Sequence, residues 1–172
     1  MAAGEFLDIP TIARTVFDGV VTHFDASSVG LPALRYIAPG ATREVAWDCE
    51  SYLVTCGGVA WGTGPGQGGT GRQTGNAVSV MLRHTIITIQ IVRCVDDPDQ
   101  EPDAARRSAV GLMVLKDVGL ITQAMTELCG RRGPLARYGN AVPGTVEIVG
   151  PAGMYAAVEG RIDITAPYTA RG

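Results

Sequence analysis

The chain has 172 residues, 46% of them hydrophobic, and a formal net charge of -3. That is long enough for one domain with a real core, and too apolar for general disorder. The acidic balance argues against a general nucleic-acid binder, which presents a basic face.

Thirteen of the fourteen basic residues are Arg, and Lys116 is the only Lys, so lysine-dependent chemistry has little to draw on. No run of ~18 consecutive apolar residues occurs, and no membrane contact is expected. The opening MAAGEFLDIP is acidic and lacks the positive start and apolar centre of a secretory signal, so the chain is expected to be made in a cytoplasm. Cys49, Cys56, Cys94 and Cys129 are widely spaced with no C-x-x-C pair, which reads as buried thiols. Cys49 and Cys94, near the middle of strands expected to be neighbours, are expected to lie close together in reduced form.

In chain order, Ile9, Ile12, Ala13, Val16, Phe17, Val20, Val21 and Phe24 recur at helical spacing, with Asp8 as cap and Pro10 in the first turn. A short strand is expected from Ala33 to Ile37, and a longer one from about Glu44 to Cys56. In the longer one, Trp47, Cys49 and Leu53 share one face and Tyr52, Val54 and Cys56 the other. Residues 57–77, GGVAWGTGPGQGGTGRQTGNA, read as a long Gly-rich loop, and a loop of that length in a compact domain is often functional. A β stretch from Val78 to Val95 follows, too long for an ordinary strand, and pairs with the preceding one as an antiparallel hairpin tipped by the loop.

Pro98 and Pro102 break the chain, and Pro102 starts a second helix that reaches Cys129 and stops at Gly130. Val110, Val114, Val118, Ile121, Met125 and Leu128 form its apolar stripe; Arg106, Lys116, Gln123 and Glu127 lie away from it. Thr145–Val149 and Met154–Thr165 then flank a Gly-Pro-Ala-Gly turn. Met154, Ala156, Val158, Ile162 and Ile164 face one way in the last strand, and Tyr155, Glu159, Arg161, Asp163 and Thr165 the other. The expected architecture is a single α+β domain over residues 1–172. It has a mostly antiparallel sheet, two helices on one face and a long β-hairpin extension.

Gly64-Pro65-Gly66-Gln67-Gly68-Gly69 matches G-x-G-x-x-G, but a strand rather than a helix follows it, so the helix N-terminus that would hold a pyrophosphate is missing. No G-K-[ST], G-x-S-x-G or H-E-x-x-H occurs, and His23 and His84 are far apart in sequence. The acidic run Asp96-Asp97-Pro98-Asp99-Gln100-Glu101 lacks EF-hand spacing and reads as a solvated turn. No catalytic residue, cofactor or metal ligand is therefore assigned. Trp61, on the Gly-rich loop, reads as an interface anchor or as folded back on the sheet, and Arg72 and Gln73 as polar contacts beside it.

Val45-Ala46-Trp47-Asp48-Cys49-Glu50, followed by Leu53-Val54, resembles the W-D-C-E strand of tail terminator proteins from long-tailed phages of actinobacteria. Ile91-Val92-Arg93-Cys94, then a Pro-rich acidic turn and an Ala-rich helix, resembles the next part of that family. Gly153-Met154-Tyr155-Ala156-Ala157 resembles its glycine-aromatic lead into the last strand. These features, with the first helix, cover most of the chain in order. The resemblance implies a non-enzymatic virion protein of the head-tail junction. It would form a hexameric ring that ends tail-tube growth, contacts the tube protein and the head-side connector or stopper, and lets DNA pass without specific binding. It also implies that Trp47, Asp48, Cys49, Arg93 and Cys94 form the fold. The long Gly-rich segment departs from the family. The alternatives are another neck, tail-completion or tube protein, and a small α+β ligand-binding enzyme.

Overall fold

The computed structural model describes residues 8–39, 50–62, 82–95, 103–152 and 155–167. In order these form α1 (Ile9–Asp25), β1 (Leu34–Pro39), β2 (Ser51–Gly62), β3 (Leu82–Cys94), α2 (Ala104–Cys129), a 3-10 turn (Pro134–Arg137), β4 (Asn140–Ala152) and β5 (Tyr155–Pro167). The fold is α+β, as the sequence pattern implies: two helices and a five-stranded sheet in the order β1-β2-β3-β5-β4.

Local chemistry accounts for the helix ends. The Asp8 side chain accepts from the Thr11 backbone N–H at 3.3 Å, and Pro10, which has no N–H to satisfy, sits in the first turn. Asp103 caps α2 in the same way, accepting from the Ala105 N–H at 2.8 Å. The inner face of α1 is the expected stripe: Ile12, Ala13, Val16, Val20 and Phe24 are buried, with Phe17 and Val21 partly so.

The sheet is antiparallel except at β1, which runs parallel to β2 with Leu34 opposite Ser51 and Pro39 opposite Cys56. A parallel pair needs a crossover rather than a tight turn. This pairing was not legible in the strand patterns. β2 and β3 form the long hairpin, paired from Ser51↔Val92 to Gly62↔Leu82. β2 thus continues past Cys56 into the stretch expected to be loop. The sheet accommodates Gly57 and Gly58 as an irregularity between Cys56 and Val59, after which pairing resumes. Trp61 is therefore a strand residue opposite Arg83, and the loop assignment for 57–62 is corrected.

One sheet face takes both helices. Tyr52 and Val54 of β2, Ile87, Ile89 and Ile91 of β3, and Ala156, Val158, Ile162 and Ile164 of β5 are buried in one cluster with the inner faces of α1 and α2. Phe17 of α1 and Tyr52 stack with ring centroids 4.9 Å apart, and the Tyr52 hydroxyl donates to the Phe17 carbonyl at 3.1 Å. Burial, with the nearby Asp18 carboxylate, pushes that hydroxyl far above its usual range, against the opposing pull of Arg35. At Gly160 a Cβ would come within 2.7 Å of both Ile121 and Met125, so glycine is what lets α2 lie this close to β5.

The opposite, outer face divides in two. Leu53, Thr55, Gln90, Val92 and Ala157 are buried there, whereas Ile86, Val142, Arg161 and Asp163 are exposed.

By length and composition α2 is apolar enough to cross a membrane, with a mean hydropathy of 1.3 over an 18-residue window. Only 28% of that window is buried. The inner face covers β3, β4 and β5 and holds a buried carboxylate bonded to the sheet.

Candidate functional site

Arg93 is the penultimate residue of β3 and points to the helix side, in step with Ile87, Ile89 and Ile91. Its side chain is 3% exposed. A buried guanidinium is tolerated only if its charge and donors are met, and three groups meet them through four hydrogen bonds. Asp117 of α2 takes two hydrogen bonds, Nε to Oδ2 at 2.9 Å and Nη2 to Oδ1 at 3.0 Å. Glu50 accepts from Nη1 at 3.2 Å, and the Gly30 carbonyl accepts from Nη2 at 2.9 Å. The second Glu50 oxygen accepts the Cys94 backbone N–H at 3.1 Å. Glu50 does this from a left-handed backbone conformation, φ 54°, just ahead of β2.

The cluster joins the chain before β1, the start of β2, the end of β3 and the middle of α2. Burial pushes the Asp117 carboxyl up, opposed by the Arg93 guanidinium. Arg93 titrates above its usual range: burial disfavours its charge, and Asp117 and Glu50 together outweigh that. Such a cluster holds charges in place rather than moving protons or attacking a substrate.

Sequence reasoning placed Arg93 among fold-forming residues only through the family resemblance, and it missed Asp117. The signal for Asp117 was present. It lies three residues after Val114 and four before Ile121, so a lone acid sits on the buried stripe, where it needs a cation.

A cleft of about 480 Å³ lies where α1 and α2 end and the 3-10 turn begins, lined by Gly19, Thr22, His23, Glu127, Leu128 and Arg132 among others. His23 Nε2 is 3.1 Å from Glu127 Oε2, and the two side chains are 19% and 60% exposed. The pair links the helix ends, and the Thr22 hydroxyl on the cleft wall donates to the Asp18 carbonyl at 2.9 Å. His84 is bonded elsewhere, its Nδ1 3.3 Å from Thr165 Oγ1. Among the described residues no cluster of three or more His, Cys, Asp or Glu side chains could hold a metal ion.

Of the three residues expected at a partner interface, Trp61 lies in the distal half of the hairpin, and Arg72 and Gln73 lie outside the described residues. Cys56 and Cys129 are free thiols, and burial pushes the Cys129 thiol up to about 11. The expectation of a reduced thiol at Cys94 is corrected: Cys94 is disulfide-bonded, with its partner outside the described residues. It ends β3 and is half-buried rather than lying mid-strand in the core, so its sulfur sits at the sheet margin, within reach of a second cysteine. The Cys49 half of that expectation lies outside the described residues.

Several large apolar side chains are exposed, Leu34 at 45% and Ile148 at 47% among them. On α2, Leu112 is 63% and Leu115 60% exposed; on the outer sheet face, Ile86 is 42% and Val142 47% exposed. Neither pair was singled out by periodicity. Comparison with protein-family models gives no match, and neither does comparison with curated proteins.

Proposed function

We propose that the chain is a structural virion protein of a long-tailed phage, the subunit of a ring that caps the tail tube, stops its growth and joins it to the head-side connector. The observation that carries this reading is the convergence on Arg93. The W-D-C-E segment ends in Glu50, the I-V-R-C segment supplies Arg93 and Cys94, and the helix that follows supplies Asp117. These three segments carry most of the resemblance, and they meet in one cluster around the buried Arg93 through bonds of 2.9 to 3.2 Å. A conformational anchor, rather than a reactive constellation, suits a protein that works by shape. Within this reading Trp61, Arg72 and Gln73 contact a neighbouring subunit or the tube.

The test is to polymerise tail-tube protein with and without this chain and to image the products by electron microscopy. The reading expects tubes of limited length carrying a ring at one end. Tubes that grow unchanged and carry no added density overturn it. Calorimetry with ATP, GTP and NAD separates the enzyme alternative, for which saturable micromolar binding is expected; the ring reading expects none.

A further inference from the structure

We propose that the outward ridge of α2 seats on the exposed end of the outer sheet face of a second copy of this chain, head to tail. This rests on the reading of the chain as a ring subunit and says which surfaces would meet.

The ridge follows from helical geometry. Ser108, Gly111, Leu112, Leu115, Gly119 and Thr122 fall on one side of α2, opposite the buried stripe of Val114, Asp117, Ile121 and Met125. Leu112 and Leu115 are 63% and 60% exposed, and nothing lies within 4 Å of where a Cβ would stand on Gly111 or Gly119. The result is two apolar knobs between two low points. Between Ala104 and Gln123 the exposed charged side chains of the helix are Arg107 and Lys116, both cations, one on each side of the ridge.

The outer sheet face offers the converse. Ile86, Asp163 and Val142 lie in one row across β3, β5 and β4. Ile86 and Val142 are exposed apolar residues on either side of an exposed carboxylate. Glu147 and Glu159 are opposite one another on the same face. Arg161, the cation there among the described residues, is bonded to Glu159 at 2.9 Å. An apolar ridge flanked by cations thus meets an apolar pair on a face where three carboxylates outnumber Arg161, and like charges would oppose a ridge-to-ridge or face-to-face contact. The helix would also cover the exposed end of the outer sheet face, giving there the layered packing that sheets generally reach.

The free sheet edges are poorer candidates. β4 carries Pro143 and two register irregularities, features that blunt strand addition, and the short β1 ends on Pro39. Because ridge and face are different surfaces, the contact is heterologous: it propagates from copy to copy and closes when the rotation allows.

The experiment uses two variants of the full chain, Leu115→Asp on the ridge and Val142→Asp on the face. Both side chains are exposed, and thermal unfolding verifies that each variant keeps its fold. Molar mass is measured by light scattering. Wild-type protein is expected as an oligomer and each variant alone as a monomer. Their equimolar mixture is expected to form a dimer and nothing larger, because only one intact ridge meets one intact face. A wild-type monomer at every concentration, an unchanged mass in either folded variant, or a mixture that stays monomeric overturns the contact. Flotation with anionic lipid vesicles adds a further arm, in which binding that depends on Leu115 would identify a bilayer as the occupant and overturn the second copy. A wild-type chain that caps tubes while the variants keep full mass overturns this contact and leaves the ring reading standing.

Discussion

Arg93 and Asp117, one on β3 and one on α2, share two hydrogen bonds of 2.9 and 3.0 Å in a setting where Asp117 is wholly buried. The bidentate geometry fixes the rotation of α2 about its own axis, because the carboxylate must present both oxygens to one fork. That rotation in turn decides which side of α2 faces outward.

Removing one partner leaves the other as an uncompensated buried charge. Asp117→Ala is expected to lower unfolding stability by ~3–5 kcal/mol, and Arg93→Met with Asp117→Leu together by clearly less than the two single changes summed. Glu50→Gln, at a side chain 47% exposed, should cost about 1 kcal/mol or less. Urea unfolding measures each of these variants and the two single changes. A neutral Asp117→Ala would mean that the pair does not hold α2 in place.

Gly160 gives a steric prediction. A Cβ there meets Ile121 and Met125, each at 2.7 Å. The Met125 thioether can turn aside, but the branched Ile121 on a packed helix has less room. Gly160→Ala is expected to destabilise by ~1–3 kcal/mol, an overpacking cost. A thermal melt at or above wild type would show that α2 and β5 separate freely.

Cys129 supplies a pH dependence. Its thiol rises from 9.0 to about 11 on folding because burial disfavours the thiolate. The folded value is the higher one, so this group's contribution is fully present below pH ~9 and is lost as pH rises through ~11. Native-state alkylation of Cys129 should therefore be slow at pH 8 and climb toward pH 11, and Cys129→Ala should flatten the alkaline fall in stability. Rapid alkylation at pH 8 in the folded protein contradicts the burial argument.

The Gly-rich segment is the place to separate folding from assembly. Replacing residues 63–74 with a short linker should change the melting temperature little, since loop length enters stability only logarithmically. Under the proposed function it should reduce the yield of completed tails. A collapse of the fold would show that the segment is part of the core, and normal particles would show it to be a spacer.

The order of elements was legible in the sequence because each strand and helix announces itself locally. The stripe Ile12, Val16, Val20, Phe24 defines α1, and the alternation Ala156, Val158, Ile162, Ile164 defines β5, since burial on one side imposes its period on any chain. The cap at Asp8 marks a helix start for the same local reason, whereas α2 starts at Ala104, capped by Asp103, and not at Pro102 as the sequence pattern implies. Only the tertiary structure decided what depends on contacts between distant segments. β1 joins parallel to β2, β5 inserts between β3 and β4, and β2 runs through its glycines to Gly62 because Leu82–Thr85 are there to pair with it. Arg93, Asp117, Glu50 and Gly30 likewise read as unrelated positions along the chain. Their meaning appears when β3 and α2 come together, because a buried charge is stable only where distant partners meet it.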